Sequence, residues 1–374
     1  MRSSAESRRH LGRALALAAR GRYRTSPNPR VGAVLVRDGN VVGEGWHHEV
    51  GGPHAEIHAL AAAGEAARDA TLYVTLEPCS HHGRTPPCAD AVIAAGVRRV
   101  VACHRDPNPQ VAGRGFAALA AAGIEVEVGP LAEQAVRLNL GFVTSHALGR
   151  PAVTLKWAMS LDGKIATARG ESQWISSPKG RQWALELREE HDAILVGSGT
   201  ALADDPRLDR RLGLAAGPIV RVVLDRRLRL PATARALTVP GPLLVYTEAP
   251  SEGALERFAG AVAEVETVSL TAVTPTSVTC DLHRRGVQSL LVEGGGEVLA
   301  EFVRSGTFDR VLVDCAPRLI GGEHAPGPLR GAGAGRLAEA PRLRFEPPRR
   351  RGGDLILEGF REGCLPDLLR RLDG

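Results

Sequence analysis

The chain has 374 residues, of which 44% are hydrophobic and 24% are charged, and this length and composition predict two domains with real apolar cores. We therefore expect no long disordered stretch. The formal charge of +5 is spread along the sequence and suits anionic small molecules as well as nucleic acid. Four Trp, three Tyr and seven Phe are too few for a surface that stacks the bases of single-stranded nucleic acid.

Neither a membrane anchor nor a disulfide framework is expected. No run approaches about 18 uninterrupted apolar residues. Arg13 and Arg20 interrupt the N-terminal apolar stretch, which is unlike a secretory signal. The six cysteines lie far apart, as in proteins of a reducing compartment. These features predict a cytoplasmic protein without a membrane partner.

Residues 1–148 are predicted to alternate between helices and strands, which indicates an α/β domain with a mostly parallel sheet and helices on both faces. In chain order, the predicted elements are a helix 7–19, a hairpin of strands 31–36 and 41–44, a helix 54–63, a strand 72–76, a helix 89–95, a strand 99–103, a helix 115–122, a strand 124–128 and one long helix 131–147.

The pattern restarts after Gly149, which predicts a second α/β domain over residues 150–374. Its predicted elements are strands 152–157, 193–196, 219–224, 243–246, 287–292 and 310–315, helices 178–190 and 298–304, and a terminal hairpin of strands 342–346 and 354–360. The arginine run 349–351 falls in the turn of that hairpin. We interpret it as a solvated loop tip, with ligand contact as the alternative.

The strongest motif of the first half is His54-Ala55-Glu56, followed by Pro78-Cys79 and by Cys88. One imidazole and two thiolates form a three-ligand zinc set that leaves the fourth tetrahedral position to water. Zinc lowers the pKa of such a water to about 7. Glu56 would then act as the general acid/base that carries a proton from the water to a leaving amine. This is the logic of the zinc nucleobase deaminases.

His54 and Glu56 can face the same site if they lie at the start of a helix. Residues two apart on a regular helix point about 200° away from each other, so both side chains share a site only in the first turn. Pro53 and Pro87 mark such starts before His54 and Cys88. Two alternatives remain at this point: buried structural cysteines without a metal, or a structural zinc whose fourth ligand is His58, His81 or His82.

Further segments of the first half carry a resemblance to a known family. They are Pro78-Cys79-Ser80-His81-His82-Gly83-Arg84-Thr85-Pro86-Pro87-Cys88, Pro27-Asn28-Pro29-Arg30-Val31-Gly32, Thr75-Leu76-Glu77 and Asp106-Pro107-Asn108-Pro109. They resemble the deaminase half of the bifunctional riboflavin-biosynthesis deaminase–reductases. This resemblance implies a cytidine-deaminase-like three-layer α/β/α domain with one zinc ion per chain. It also implies removal of the 2-amino group from a diaminopyrimidinone ribosylamine phosphate.

The second half has a glycine-rich turn, Gly294-Gly295-Gly296, between a strand and a helix. Backbone N–H groups at such a turn can bind a phosphate, although the full dinucleotide-binding pattern is missing. The polar segments 159–165, 170–175 and 200–206 resemble the reductase half of the same family. That resemblance implies a dihydrofolate-reductase-like α/β domain that uses NADPH to reduce the ribosyl group to a ribityl chain.

Position by position, the resemblance implies contacts to two ligands. The nicotinamide cofactor would contact Ala158, Trp174, Thr200, Asp204, Gly295 and Gly296, and the phosphorylated pyrimidine substrate would contact Ser172, Arg188, Leu208, Arg211 and Glu293. Three positions depart from the family pattern: Ala158 replaces a frequent Gly, Arg226 a small polar residue, and Asp209 a Thr. The sequence suggests that Arg226 reaches the 2′-phosphate of NADPH.

Only three of the 47 basic residues are lysines, and all three open the second half: Lys156, Lys164 and Lys179. Lys156 and Asp162 are candidate supports of the reductase site, with chance clustering of the lysines as the alternative. Two rival functions are a nucleic-acid-editing deaminase and a non-enzymatic zinc-stabilised nucleotide-binding protein. The second half and the cysteine spacing favour the bifunctional enzyme, as a homo-oligomer of two or more copies that binds no nucleic acid.

Overall fold

The computed structural model describes residues 4–80, 87–248 and 256–373. The chain divides into two compact units. The first comprises Met1–Gly149 with Leu365–Gly374, and the second comprises Arg150–Cys364. Within the described ranges, no helix combines the length and the apolar character needed to cross a membrane.

The first unit is a five-stranded sheet covered by helices. Its elements are α1 (Ser4–Ala18), β1 (Gly32–Arg37), β2 (Asn40–Trp46), α2 (Ala55–Ala63), β3 (Thr71–Val74), α3 (Cys88–Ala94), β4 (Arg99–Ala102), α4 (Arg114–Ala121), β5 (Glu125–Val128), α5 (Ala132–Leu138) and α6 (Leu140–Leu148). The strand order is β2-β1-β3-β4-β5. Strand β1 is antiparallel to β2 and β3, whereas β3, β4 and β5 are parallel.

Apolar residues on both faces of the central strands give this unit three layers. On β1, Ala33 and Leu35 pack into a core with Ala59 of α2, whereas Val34 packs with Leu11 of α1 on the other face. Helix α2 lies very close to β2, because a Cβ on Gly43 would stand 2.3 Å from the carbonyl oxygen of Ala59. At the start of the helix, a Cβ on Gly45 would likewise stand 2.3 Å from the carbonyl oxygen of Ala55, so β2 also holds the turn that carries the predicted zinc-binding motif.

The second unit is built on a ten-stranded sheet. Its elements are β6 (Ala152–Ser160), α7 (Pro178–Glu190), β7 (Ala193–Gly197), α8 (Ser198–Asp204), β8 (Val220–Leu224), β9 (Pro242–Thr247), β10 (Glu264–Ser269), α9 (Pro275–Arg284), β11 (Ser289–Val292), α10 (Gly296–Arg304), β12 (Arg310–Ala316), β13 (Leu343–Phe345), β14 (Arg349–Arg351) and β15 (Asp354–Arg361). The last helix, α11 (Cys364–Asp373), groups with the first unit from Leu365 onward. Single 3-10 turns occupy Ala19–Gly21, Gly64–Ala67, Arg235–Thr238, Glu256–Phe258 and Leu337–Glu339.

The strand order in this sheet is β10-β9-β8-β7-β11-β6-β12-β15-β13, with β14 also paired to β15. The strands from β10 to β12 run parallel, and β15 is antiparallel to β12. Helices α9 and α10 cover one face, where Leu282 and Phe302 enter the core. Helix α7 covers part of the other face through Trp183 and Leu187.

Two predictions of local structure were wrong, and further elements were not predicted. The helix predicted over 131–147 is two helices, because Asn139 leaves the helical conformation (φ −111°, ψ 32°) and bonds the backbone of Arg30 instead. The arginine run predicted as a loop tip is strand β14, which pairs with β15. The region 227–285 also contains β10 and α9, which the sequence reading did not predict.

Candidate functional site

Three potential metal ligands of the first unit converge. The ligand atoms of His54, Cys79 and Cys88 all lie within 4.8 Å of one another. His54 Nδ1 is 3.3 Å from Cys88 Sγ and 3.6 Å from Cys79 Sγ. The Cys88 backbone N–H donates to Cys79 Sγ at 3.3 Å. One nitrogen and two sulfur donors at this separation suit a tetrahedral zinc ion with an open fourth position.

His54 and Cys88 lie at helix starts, as predicted from the sequence. His54 is the N-cap of α2 with extended backbone (φ −76°, ψ 168°), and Glu56 lies in the first turn of that helix. Cys88 is the first residue of α3, after Pro87. Cys79 follows β3, and its backbone carbonyl accepts the N–H of Ala89. The donor set is therefore held by two helix starts and one strand end.

Glu56 is buried beside the ligands, with 3% of its surface exposed. Its Oε2 has no hydrogen-bond partner among the described residues. Burial raises the pKa of this carboxyl to about 7. A carboxyl with that pKa can both accept and donate a proton near neutral pH.

His54, Cys79 and Glu56 line a cavity of about 380 Å³. Asn28, His47, Asp106 and Phe142 line the same cavity. Since His47 Nδ1 lies 3.1 Å from the carbonyl oxygen of Pro53, that nitrogen carries the proton and donates. His47 Nε2 then accepts from the Asn28 side-chain amide at 3.2 Å. Desolvation lowers the pKa of His47, in keeping with this neutral tautomer.

No role was predicted for Asn28, His47 or Asp106. The motifs 27–32 and 106–109 contained a signal for Asn28 and Asp106, since both motifs supported the family resemblance.

The structural role of Glu77 was also not predicted. Its buried carboxylate accepts four backbone N–H groups, those of Asp106, Gly113, Gly115 and Phe116, at 2.9–3.3 Å. It thereby fixes the segment that brings Asp106 to the cavity.

The alternative of a fourth protein ligand from His58 finds no support in the geometry. Among the described residues, His58 is not part of the metal-ligand group. Its ring instead stacks on His48 with centroids 4.2 Å apart and an interplanar angle of 11°. His81 and His82 lie outside the described residues.

In the second unit, the glycine-rich turn adjoins the start of α8. Gly294 and Gly295 have positive φ angles of 104° and 74°. A Cβ on Gly295 would stand 3.2 Å from Thr200 Oγ1, so only glycine leaves this cradle open. The backbone N–H of Glu293 is anchored by the carbonyl oxygen of Leu195 on β7. Thr200 and the turn thus form one concave corner, and Asp204 lies at the other end of the short helix α8.

The implied substrate residues Arg188 and Glu293 are paired with each other. The Arg188 guanidinium binds the Glu293 carboxylate through both oxygens, at 2.7 Å and 3.2 Å. Desolvation opposes ionisation of the buried Glu293, but Arg188 and then Lys156 outweigh it, so its pKa is lowered. Leu208 is buried with φ +57°. Asp209, the departure from the family pattern, accepts from Arg207 and Arg211 at 2.8 Å each.

The remaining implied residues are spread over neighbouring elements. Ala158 is half-buried on β6, and Ser172 is half-buried in the loop before α7. Trp174 is 60% exposed, and the Arg181 guanidinium lies 4.7 Å from its ring centroid. Asp162 accepts from the Ser160 hydroxyl and from the backbone N–H groups of Ile320 and Gly321, so it closes a turn. Those bonds lower the pKa of Asp162 to about 2.

Arg226 has two partners in the protein. Its Nε lies 3.4 Å from a Glu248 carboxylate oxygen, and its Nη2 donates to the carbonyl oxygen of Val273 at 3.1 Å. Lys156 lies on the α7 face of the sheet, on the strand between β11 and β12. It acts electrostatically on Glu293 after β11 and on Asp314 of β12.

Family models match both halves of the chain. Residues 5–104 match the cytidine and deoxycytidylate deaminase zinc-binding region. Residues 151–357 match the RibD C-terminal domain.

Full-length relatives and solved structures are similar to the whole chain. The riboflavin biosynthesis protein RibD of Bacillus amyloliquefaciens is 43% identical over 93% of this chain and 94% of its own. RibD of Escherichia coli is 43% identical over 93% of this chain and 97% of its own. The structure of Acinetobacter baumannii RibD, form 1, has 37% identity and a TM-score of 0.85, with 96% of this chain and 99% of that chain covered. A Thermotoga maritima diaminohydroxyphosphoribosylaminopyrimidine deaminase/5-amino-6-(5-phosphoribosylamino)uracil reductase has 36% identity and a TM-score of 0.83, with the same coverage.

Proposed function

The chain belongs to the family of bifunctional riboflavin-biosynthesis deaminase–reductases, and from this premise we propose which of its residues perform each reaction. The protein is a deaminase and a reductase of riboflavin biosynthesis. Its first unit has the cytidine-deaminase-like fold, and its second unit has the dihydrofolate-reductase-like fold of the RibD reductase domain. The expected fold classes are therefore confirmed.

The first reaction converts 2,5-diamino-6-(5-phosphoribosylamino)pyrimidin-4(3H)-one and water into 5-amino-6-(5-phosphoribosylamino)uracil and ammonia. We assign the zinc ion to His54, Cys79 and Cys88, because their donor atoms fit a three-ligand site. When bound, zinc would lower the pKa of the attacking water and so supply the nucleophile at neutral pH. Glu56 takes the proton of that water and returns it to the leaving amine, which its buried, unpartnered oxygen permits.

The cavity beside Glu56 would hold the pyrimidine ring. Its polar wall offers the Asn28 side-chain amide and the Asp106 carboxyl as hydrogen-bonding groups, His47 holds the Asn28 amide, and Phe142 adds an apolar surface. Because Asn28 and His47 hold each other, the donor and acceptor pattern of this wall is set before substrate arrives. Preorganised polar groups of this kind orient a ligand at a small entropic cost.

The second reaction reduces the ribosyl group of the uracil product to a ribityl chain. We propose NADPH as the cofactor, because the reductase domain of this family implies it and the Thr200–Gly295 corner is lined by glycine, as a phosphate site requires. When bound, NADPH would supply a hydride to C1′ and become NADP⁺, while the C1′–O4′ bond breaks and the former ring oxygen takes one proton from solvent. Arg188 and Glu293 form one rigid polar unit that can orient the substrate. Arg211, Ser172 and Trp174 remain proposed contacts.

The convergence of His54, Cys79 and Cys88 next to the buried Glu56 is the observation that carries the proposal. Its test is product analysis of the purified protein by mass spectrometry, together with metal analysis. Without NADPH, we expect release of ammonia and accumulation of the uracil ribosylamine phosphate. With NADPH, we expect the ribityl product and a loss of absorbance at 340 nm.

A protein that retains one zinc ion per chain but releases no ammonia from this substrate would contradict the proposed deaminase site. Ammonia release without any NADPH oxidation would contradict the reductase site alone. We also propose that the protein acts in the cytoplasm as a homo-oligomer. All six cysteines are free in the structure, as a reducing compartment allows, and light scattering of the purified protein measures the oligomer.

A further inference from the structure

Arg229 lies in the loop after β8 and is held in place by two neighbours. Its Nη2 donates to Ser198 Oγ at 2.5 Å. Its Nε lies 3.7 Å from Asp225 Oδ1, on a carboxylate that is fully buried. The side chain of Arg229 is nevertheless 53% exposed. Ser198 and Asp225 therefore orient the guanidinium, while some of its N–H groups face solvent.

The strand order brings this guanidinium to the same edge of the sheet as the glycine-rich turn. Ser198 begins α8 directly after β7, Arg229 follows the neighbouring strand β8, and the turn follows β11 on the other side of β7. The Ser198 oxygen accepts the bond from Arg229, which leaves its own O–H available as a donor. One hydroxyl and one guanidinium thus present donors at the carboxyl edge of the sheet, where ligands bind in open α/β folds.

Arg226 has a different environment, although it lies only three residues away. It is bound to the Glu248 carboxylate at 3.4 Å and to the Val273 carbonyl oxygen at 3.1 Å. To bind an anion, Arg226 would have to give up its ion pair with Glu248, which follows β9. The carboxylate partner of Arg229 is Asp225, which is fully buried and cannot cover the exposed part of the guanidinium. Among the described residues, Arg229 has no other ion pair.

We infer that Arg229, together with the Ser198 hydroxyl, binds the 2′-phosphate of the nicotinamide cofactor and so selects NADPH over NADH. This replaces the sequence-based expectation that Arg226 has this role, and it rests on the proposed reductase function. A phosphate monoester is a dianion with three acceptor oxygens, which suits an oriented guanidinium fork and a hydroxyl. The three arginines 226, 227 and 229 also outnumber Asp225 and Glu248 in this region, so the local formal charge is positive.

The test measures nucleotide affinity, not turnover, by nicotinamide fluorescence titration of the zinc-loaded full chain with NADPH and with NADH. We expect Arg229→Gln to weaken NADPH binding at least ~10-fold while NADH affinity stays within about twofold, which corresponds to the loss of one charge-assisted contact. Arg226→Gln is the matched control, with the same change of charge in the same loop. It should keep the wild-type ratio of the two affinities.

A second variant covers the case in which Arg229→Gln does not fold. Ser198→Ala removes only the hydroxyl, and it should weaken NADPH binding severalfold without affecting NADH. Equal weakening of both nucleotides by Arg229→Gln would overturn the inference, because Arg229 would then support only the loop. The inference would also be overturned if Arg226→Gln lost the preference for NADPH over NADH while Arg229→Gln kept it. If the wild-type protein binds neither nucleotide, the proposed reductase function fails instead.

Discussion

At the scale of single residues, the first site depends on which groups are ligands and which are not. His54 and Glu56 share the first turn of α2, but the Glu56 carboxylate remains without a hydrogen-bond partner at Oε2. A buried carboxyl oxygen without a hydrogen-bond partner lowers the stability of the folded protein. Such groups are concentrated at sites where catalysis requires them. The role of Glu56 can be separated from metal binding by substitution.

We predict that Glu56→Gln keeps the zinc ion and loses deamination. The amide has almost the same shape but cannot carry a proton, so the rate should fall at least ~100-fold, the usual range for general acid/base catalysis. Zinc content by elemental analysis should stay near one ion per chain. Cys88→Ala is the contrasting variant and should lose the metal. Near wild-type deamination by Glu56→Gln would show that another group moves the proton.

A second buried carboxyl, Asp314, lies on β12 beneath the start of α7. Asp314 and Asp354 are each 1% exposed, and a Cβ on Gly180 would stand within 2.4 Å of an oxygen of each. The Ser177 backbone N–H donates to Asp354, whereas Asp314 Oδ1 has no partner among the described residues. Desolvation raises the pKa of Asp314 to about 6, against the opposing effect of Ser176 and Lys156. This carboxyl is thus protonated more readily in the folded protein than in the unfolded chain.

The sign of the resulting pH dependence follows from that shift. A raised pKa in the folded state means that stability decreases as pH rises from about 4 through 6, since the folded protein must release a proton that it prefers to keep. We predict that Asp314→Asn stabilises the second unit at pH 7.5 by about 1–2 kcal/mol, discounted for solvent screening. At pH 4 we expect little gain. Thermal unfolding at the two pH values measures the difference.

Glu297→Gln is the control for the loss of one negative charge, because Glu297 is exposed on α10. It should leave the unfolding temperature nearly unchanged at both pH values. An equal effect of Asp314→Asn at pH 4 and pH 7.5 would show that the substitution acts through packing and not through protonation.

At the scale of secondary-structure elements, Asn139 shows how a single tertiary contact overrides a helical pattern. Its side-chain amide pairs with both backbone groups of Arg30, at 2.8 Å and 2.9 Å, and this pairing separates α5 from α6. Arg30 belongs to the same loop as Asn28, which lines the deaminase cavity. The break in the helix therefore holds the loop that carries a cavity residue.

We predict that Asn139→Ala lowers the stability of the first unit by about 1–3 kcal/mol, because two half-buried backbone groups of Arg30 lose their partners. The first thermal transition should shift to lower temperature, and KM for deamination should rise as the loop around Asn28 loosens. Asn40→Ala is the matched control, since Asn40 is exposed in the β1–β2 turn. An unchanged KM together with a large loss of stability would show that the contact supports only the fold.

The sequence predicted most elements that have a strong local pattern, including the β1–β2 hairpin and a helix over Pro178–Glu190. It also predicted that His54, Cys79 and Cys88 converge, because their residue types and the prolines before each helix start are local signals. It could not predict the Asn139 break or the partners of Arg226, because each depends on residues far away in the chain. Strand β14 was missed for the same reason, since three arginines form a strand only when β15 offers a hydrogen-bonding edge.

At the scale of the whole molecule, each reaction is assigned to one compact unit with its own core. Every residue that lines the deaminase cavity belongs to the first unit. Every residue proposed for the cofactor or for the reductase substrate belongs to the second. If each unit is catalytically complete, the two activities should be lost separately and should be recovered from two different inactive chains.

We therefore predict that Glu56→Gln and Asp204→Asn complement each other when they are mixed. Glu56→Gln alone should release no ammonia and consume no NADPH from the diaminopyrimidine substrate. Asp204→Asn alone, with a weakened cofactor contact at the end of α8, should stop at the deaminated product. The mixture should oxidise NADPH and form the ribityl compound, because the intermediate made by one chain can bind to the other. Mass spectrometry of the products resolves all three cases. Loss of deamination in a folded, zinc-loaded Asp204→Asn protein would contradict the assignment of one reaction to each unit.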